Sequence, residues 1–249
     1  MIITFLGTAG SAPYHEHSLP SILVSKKILL DCGEGATSAL QKAGALDELE
    51  YVLLTHFHGD HVSGLISLIW IYMLRGRARK LTVIGPRGVG SNVIQLLKLV
   101  NTPMERIRKF LVLREIKPGE NIGFIFAEEA NHPTPSLAFR IEIEGRALCY
   151  TGDTSPSEKI IKLAKGCELL IHDATFPPGM EEEALAVGHS TPYQAAVSAQ
   201  KAGVKKLVLF HLPYYYFGGE EFIKDYLAAA RKVFSGEIYV PREFEIISI

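Results

Sequence analysis

The sequence has 249 residues, with 26 basic and 27 acidic side chains and a formal net charge of −1. That balance gives no global attraction to nucleic acid or membrane. With 47% apolar and 21% charged residues, a disordered chain is excluded. The length suits one domain over residues 1–249 that buries its own core. Cys32, Cys149 and Cys167 form no CxxC, which argues against a disulfide framework or a four-cysteine zinc site and suits a reducing compartment. Residues 1–10 carry no basic leader, and the longest apolar run, Leu65 to Leu74, is half of what a bilayer needs. The expectation is a cytoplasmic protein with no membrane partner.

Short β-branched or Leu-rich runs alternate with helical stretches along the chain. Ile2 to Leu6 reads as a strand, followed by a turn at Gly7 to Gly10. Ser21 to Ser25 and Lys27 to Leu30 read as paired strands, and Ala36 to Ala43 as a helix stopped by Gly44. Tyr51 to Thr55 is a strand, and His61 to Arg75 reads as one buried helix. Leu81 to Ile84 is a strand, and Ser91 to Val100 an amphipathic helix with Ser91 as N-cap. Phe110 to Glu115 and Ile122 to Ala127 are strands. Leu137 to Glu144 and Ala147 to Thr151 form a hairpin around Gly145. Ser157 to Ala164, Thr191 to Ala202 and Phe222 to Phe234 are helices. Leu169 to His172 and Leu207 to Phe210 are strands, and Glu237 to Ile249 supplies one or two more. This pattern predicts an α/β (α+β) fold of two sheets with helices outside.

Nine histidines matter by placement rather than number. In Thr55-His56-Phe57-His58-Gly59-Asp60-His61, His56 and His58 are two apart, so on an extended backbone their rings share a side. Asp60 and His61 follow at the first turn of a helix. Three imidazoles and a carboxylate within six residues suit a pair of divalent cations. His132, Asp153 and His211 each end or closely follow a predicted strand, as do His56 and Asp31. Side by side, those strands would bring all these residues to one rim.

The His-x-His-x-Asp-His run resembles the signature of the metallo-β-lactamase-fold hydrolases. The resemblance implies a four-layer αββα sandwich with a metal site at one edge. It implies that His56, His58 and His132 hold one metal, that Asp60, His61 and His211 hold the other, and that Asp153 bridges them. Zinc is the expected metal for such histidine-rich ligation, with manganese or iron also compatible. The signature is specific for fold and metal site but not for substrate.

Finer motifs resemble the ribonuclease Z branch: Phe5-Leu6-Gly7-Thr8-Ala9-Gly10-Ser11-Ala12-Pro13, Leu30-Asp31-Cys32-Gly33-Glu34-Gly35, Gly152-Asp153-Thr154, His172-Asp173-Ala174-Thr175 and Gly188-His189-Ser190-Thr191. They imply a phosphodiesterase in which two cations bind a phosphate oxygen and lower the pKa of a shared attacking water. Asp60 belongs to that catalytic set. His189 is the candidate proton donor to the leaving oxygen, with Asp173 or His172 orienting it or a metal ligand. Asp31 is expected to accept backbone hydrogen bonds near the ligand loop, and His15 and His17 to be mouth residues at most.

Two departures bear on the substrate. Transfer-RNA-processing members of that branch carry a long arm between the third metal-site histidine and the bridging aspartate. Here His132 and Asp153 are 21 positions apart, and a hairpin fills the gap. Their last histidine motif continues Phe-Ser-x-Arg-Tyr, whereas His211 is followed by Leu212-Pro213-Tyr214-Tyr215-Tyr216-Phe217. The aromatic run could stack a base, but packing against the core or a partner is the expected role. Arg75, Arg77, Arg79, Lys80 and Arg87 are expected to be a solvated helix end, with a phosphate-tracking patch as the alternative. The expected substrate is therefore a small or accessible phosphodiester, such as a cyclic nucleotide or a short RNA end. A tRNA 3′-end endonuclease with a reduced exosite and a non-catalytic metal-binding relative are the alternatives. The resemblance also suggests a homodimer.

Overall fold

The computed structural model describes residues 1–249. Its strands are β1 (Ile2–Gly7), β2 (Ser21–Val24), β3 (Ile28–Leu30), β4 (Tyr51–Leu53), β5 (Leu81–Gly85), β6 (Leu111–Glu115), β7 (Asn121–Ile122), β8 (Ile125–Glu129), β9 (Leu137–Ile143), β10 (Arg146–Tyr150), β11 (Leu169–Asp173), β12 (Lys206–Phe210), β13 (Glu237–Tyr239) and β14 (Ile246–Ser248). They form two seven-stranded sheets, in the orders β14-β1-β2-β3-β4-β5-β6 and β13-β12-β11-β10-β9-β8-β7.

Side-chain alternation assigns the layers. Phe5, Leu30, Leu53 and Ile84 of the first sheet meet Phe139, Leu148, Ile171 and Phe210 of the second in one buried cluster. Their neighbours Leu29, Val52 and Val83 point the other way, onto Ala39, Leu68 and Val93 of flanking helices. Leu170, Leu207 and Leu209 likewise pack outward on Ala195, Ala199 and Tyr226. The result is two sheets with helices outside, as the alternating strands and helices predicted, and the αββα sandwich that the resemblance implies. No helix is long and apolar enough to cross a membrane.

Within the sheets, β3-β4-β5-β6 and β10-β11-β12-β13 are parallel runs. Parallel neighbours need crossover connections, and helices supply them. The carboxyl ends of such strands open onto crevices that bind ligands. Leu30 pairs with Leu53, and Tyr150 with Ile171, so Asp31, Thr55, Asp153, Asp173 and His211 all emerge just past one rim.

Three details differ from the sequence reading. The helix expected over 61–75 is two helices, Gly59–Val62 and Leu65–Leu74. The Gly64 N–H bonds the Cys32 carbonyl at 2.9 Å instead of a helical partner, and a Cβ at Gly64 would lie 2.1 Å from the Gly33 carbonyl oxygen, so this close approach requires a glycine. The helix at 91–100 begins at Val89, with Gly88 as N-cap, and Ser91 Oγ turns back to the Gly88 carbonyl. The single strand expected over 122–127 is the hairpin of β7 and β8, turning at Gly123, while β13 and β14 are the two strands expected over 237–249, one in each sheet. Helix starts were otherwise well marked. Ser157 caps Glu158–Ala164, and Thr191 with Gln194 forms a capping box on Pro192–Ala202. Such caps contribute about 0.5–2 kcal/mol each.

Candidate metal centre

The rim carries a cluster of histidines and aspartates. His56 and His58 lie on the extended segment after β4, and Asp60 and His61 on the short helix that follows. His132 follows β8, Asp153 follows β10 and His211 follows β12. His56, His61, His211 and Asp153 are buried, whereas His58 is exposed, so the cluster opens on the His58 side. His211 and Asp31 have positive φ, 62° and 53°. Such a backbone costs on the order of 1–3 kcal/mol and persists where surrounding contacts over-determine it.

Two groups of donor atoms hold the seven expected ligands, and a third joins Asp153 and His211 with His189. The donor atoms of His56, His58, His132 and Asp153 lie within 4.8 Å of one another, as do those of Asp60, His61 and His211. Asp153 spans both sets. Its Oδ2 is 3.6 Å from His56 Nε2, and its Oδ1 is 3.3 Å from His61 Nε2 and 3.4 Å from His211 Nε2. Asp60 Oδ2 accepts a hydrogen bond at 2.9 Å from the Ser11 backbone N–H, which fixes that carboxylate from outside the cluster.

The rings are aimed by bonds at Nδ1. His61 Nδ1 donates to Asp31 Oδ2 at 2.8 Å, His132 Nδ1 to the Gly188 carbonyl at 3.0 Å, and His56 Nδ1 to Thr55 Oγ1 at 3.0 Å. Thr55 Oγ1 in turn donates to Asp31. His211 Nδ1 donates to Thr175 Oγ1 at 2.8 Å, and Thr175 passes its own proton to Asp173 Oδ1 at 2.6 Å. In all four rings the Nδ1–H bond leaves the Nε2 lone pair facing the cluster, the form that ligates a metal. His58 differs, presenting Nδ1 at 3.4 Å from His132 Nε2. Gly188 has φ +78°, and a Cβ there would lie 2.5 Å from Pro133 Cδ, so the carbonyl that aims His132 depends on a glycine.

The residues fit a pair of divalent cations. His56 Nε2 and Asp153 Oδ1 are buried without a hydrogen-bond partner, and both face the cluster. Unpaired buried polar atoms are costly, and a cation satisfies them. His61 Nε2 and His211 Nε2 are only 3.3 Å apart. Asp31, Asp60, Asp153 and Asp173 converge on the site, yet their ion pairs are all with histidine, never with lysine or arginine. Burial and the neighbouring His61 push His56 down to about 2, keeping it neutral. Burial also lowers His132. Burial opposes charge on His61, but Asp153 and Asp31 on either side raise it well above its ordinary value. The centre therefore calls for positive charge beyond what its own side chains supply.

His189 lies at the edge of this cluster. Its Nδ1 donates to Asp173 Oδ2 at 2.8 Å, and its Nε2 is 4.0 Å from Asp153 Oδ2. Burial disfavours the imidazolium, but the Asp173 carboxylate outweighs it and pushes His189 up to about 9. Asp173 also accepts from the Thr154 and Thr175 backbone N–H groups. Ser190 Oγ donates to the Thr154 carbonyl at 2.7 Å, tying the His189 loop to the Asp153 loop. His172 is not brought to the cluster. Alternation along β11 turns it to the helix side, where Nδ1 bonds the Asp173 carbonyl oxygen and Nε2 has no partner. Asp173 alone fills the orienting position suggested for the pair.

The structure adds three supporting residues. Thr175 links His211 to Asp173, Tyr150 O–H donates to Asp31 Oδ2 at 2.7 Å, and Ser11 holds Asp60. Asp31 is more than an acceptor of backbone bonds, because it also aims His61. His17 stacks on Tyr214 with ring centroids 3.6 Å apart, and His15 packs edge-on against Tyr14. Arg75, Arg79 and Lys80 are engaged by Asp47, Glu50 and the Lys109 carbonyl at the start of β5, the end of the strand away from the rim. Arg77 binds the Leu49 and Arg79 carbonyls there, while Arg87 follows the end of β5. Of the aromatic run only Tyr214 is buried.

A beta-lactamase superfamily domain matches residues 26–212. The ribonuclease Z of Methanothermobacter thermautotrophicus is 31% identical, covering 94% of this chain and 92% of its own. That alignment spans 287 positions against about 234 residues here (94% of 249), so about 53 positions of the relative have no counterpart. The ribonuclease Z of Archaeoglobus fulgidus is 29% identical over 95% of this chain and 94% of its own. Human short-form tRNase Z superposes with a TM-score of 0.80 at 26% identity, covering 100% of this chain and 99% of that one. The metallo-beta-lactamase fold protein YhfI of Bacillus subtilis shares the fold, with a TM-score of 0.83 at 24% identity over 99% of this chain and 98% of that one.

Proposed function

The chain belongs to the ribonuclease Z-like branch of the metallo-β-lactamase-fold hydrolases, and we propose that it is a dinuclear phosphodiesterase acting on a nucleotide or an accessible RNA end. The observation that carries the proposal is the division of seven donors into two sets with the two oxygens of Asp153 between them. His56, His58 and His132 would hold one cation, Asp60, His61 and His211 the other. Zinc is the metal we propose, with manganese or iron compatible with the same donors. Cations there would polarise a phosphoryl oxygen and lower the pKa of a water.

The chain's own residues then do the rest. Asp31, Thr55, Thr175 and the Gly188 carbonyl hold four imidazoles in one tautomer, so no reorganisation is needed when substrate binds. His189 carries the mobile proton at Nε2, because Asp173 fixes the one at Nδ1. That proton goes to the departing oxygen, the general-acid half of the reaction.

Substrate size follows from the connection between His132 and Asp153. It is filled by β9 and β10 with a turn at Glu144-Gly145, leaving no room for an arm. Cleavage of precursor tRNA is the second reading, favoured by relatives named ribonuclease Z at about 30% identity. A panel of precursor tRNA, cyclic nucleotides and bis(p-nitrophenyl) phosphate in defined metals separates the two. Turnover of the small substrates without cleavage at the tRNA acceptor end supports the proposal; cleavage at that end alone supports the second reading. We also propose a homodimer, tested by light scattering. The three free, buried cysteines favour a cytoplasmic setting.

A further inference from the structure

The aromatic run after His211 forms a short helix, Tyr214–Phe217, and only its first ring enters the core. Tyr215, Tyr216 and Phe217 are 45%, 72% and 40% exposed. Phe217 is held by stacking on Phe222, with centroids 4.5 Å apart. Tyr215 and Tyr216 instead line a cavity of about 220 Å³ with Phe176, Met180 and Pro213. No charged side chain lines it. That volume is below the roughly 300–1,000 Å³ of pockets for drug-sized ligands, so it suits one planar ring.

The cavity lies beside the metal centre, against the Nδ1 side of its rings. Thr175 lines it, and Thr175 Oγ1 is 2.8 Å from His211 Nδ1 and 3.3 Å from His189 Nδ1. The Phe176 ring centroid is 6.0 Å from that of His189. A phosphate at the cluster therefore has a polar, cation-binding side and, beyond His189, an apolar cavity lined by aromatic residues. A flat ring attached through a sugar to that phosphate meets both.

We propose that this cavity is a base subsite, in which Phe176, Tyr215 and Tyr216 hold the nucleobase of the nucleotide whose phosphate sits at the metal centre. The proposal rests on the phosphodiesterase reading above. Because the lining is aromatic and uncharged, the subsite selects for a base over no base and tolerates different bases.

The test is equilibrium binding of AMP and of ribose 5-phosphate to the metal-loaded protein, in which only AMP carries a base. The wild type is expected to bind AMP about 5- to 150-fold more tightly, the range for one base stacked on aromatic side chains. Tyr216→Ala and Phe176→Ala should each shrink that ratio toward one, and Tyr216→Phe, which keeps the ring, should retain it. Equal affinity of the wild type for both ligands, or equal weakening of both in Tyr216→Ala, overturns the subsite while leaving the metal centre standing. Failure of both ligands to bind overturns the phosphodiesterase reading and the subsite with it. A change of oligomeric state in Tyr216→Ala with the AMP preference intact overturns it too, and assigns the ring to a protein interface.

Discussion

Asp173→Asn isolates the role given to His189. Asp173 Oδ2 accepts from His189 Nδ1 and the Thr154 N–H, and Oδ1 accepts from the Thr175 N–H and O–H. An amide has one acceptor oxygen, so whichever way it turns, at least one buried N–H loses its partner. That costs about 1–3 kcal/mol, or about 2–12 °C in Tm for a chain of this size. The catalytic effect is separate. A hydrogen bond to a charged group contributes about 1.5–3 kcal/mol, so loss of the His189–Asp173 pair should lower kcat about 10- to 150-fold with KM little changed. Removing the general acid altogether, in His189→Ala, should cost about 10²- to 10⁴-fold. Since Asp173 acts through His189, the double variant should match His189→Ala within a few-fold. The assay is steady-state hydrolysis of a nucleoside 2′,3′-cyclic phosphate, whose alkoxide leaving group needs a proton, with metal content measured on each sample. Losses that multiply in the double variant, or a kcat for Asp173→Asn within threefold of wild type at full metal content, refute the assignment.

Three further outcomes are expected. Gly10→Ala would place a Cβ 2.4 Å from His211 Nδ1 and 2.6 Å from its carbonyl oxygen; overpacking of this kind costs about 1–3 kcal/mol, so elemental analysis should find less than the wild-type metal content, and an unchanged content would show that His211 can shift freely. Exhaustive chelation should lower Tm by about 5–10 °C, as expected for loss of a ligand held near 100 times its Kd, with recovery on adding divalent metal; an unchanged Tm would mean that no cation is bound. Cys32, Cys149 and Cys167 are buried, and burial pushes all three thiols up, Cys167 to about 11; a thiol reagent at pH 8 should therefore find none until the protein is denatured, and fast reaction of the native protein would contradict the fold.

The rim of ligands was legible because β-branched runs in the sequence end in histidine or aspartate, and parallel strands bring such ends together. The spacing of His56, His58, Asp60 and His61 marks four members of the cluster; His132, Asp153 and His211 were drawn in by predicted strand ends and by the resemblance. His172 was misread although the pattern contained the answer, since Ile171 and Asp173 share one face of β11 and His172 must take the other. The break at Gly64 was not legible, because the apolar pattern runs on and the interruption comes from a long-range bond of the Gly64 N–H to the Cys32 carbonyl. Nor was the part played by Thr175, whose hydroxyl joins Asp173 to His211 across 36 residues of chain. The assignment of β13 and β14 to different sheets depends on pairing partners that periodicity does not encode.

The central claim is a two-cation phosphodiesterase, and metal titration of the demetallated protein tests it most directly. Hydrolysis of a nucleoside cyclic phosphate should rise with added zinc or manganese and level off at two bound equivalents per chain. Full activity at one equivalent would contradict the two-site division around Asp153. A protein carrying two equivalents that leaves nucleotide phosphodiesters and bis(p-nitrophenyl) phosphate intact would contradict the account as a whole.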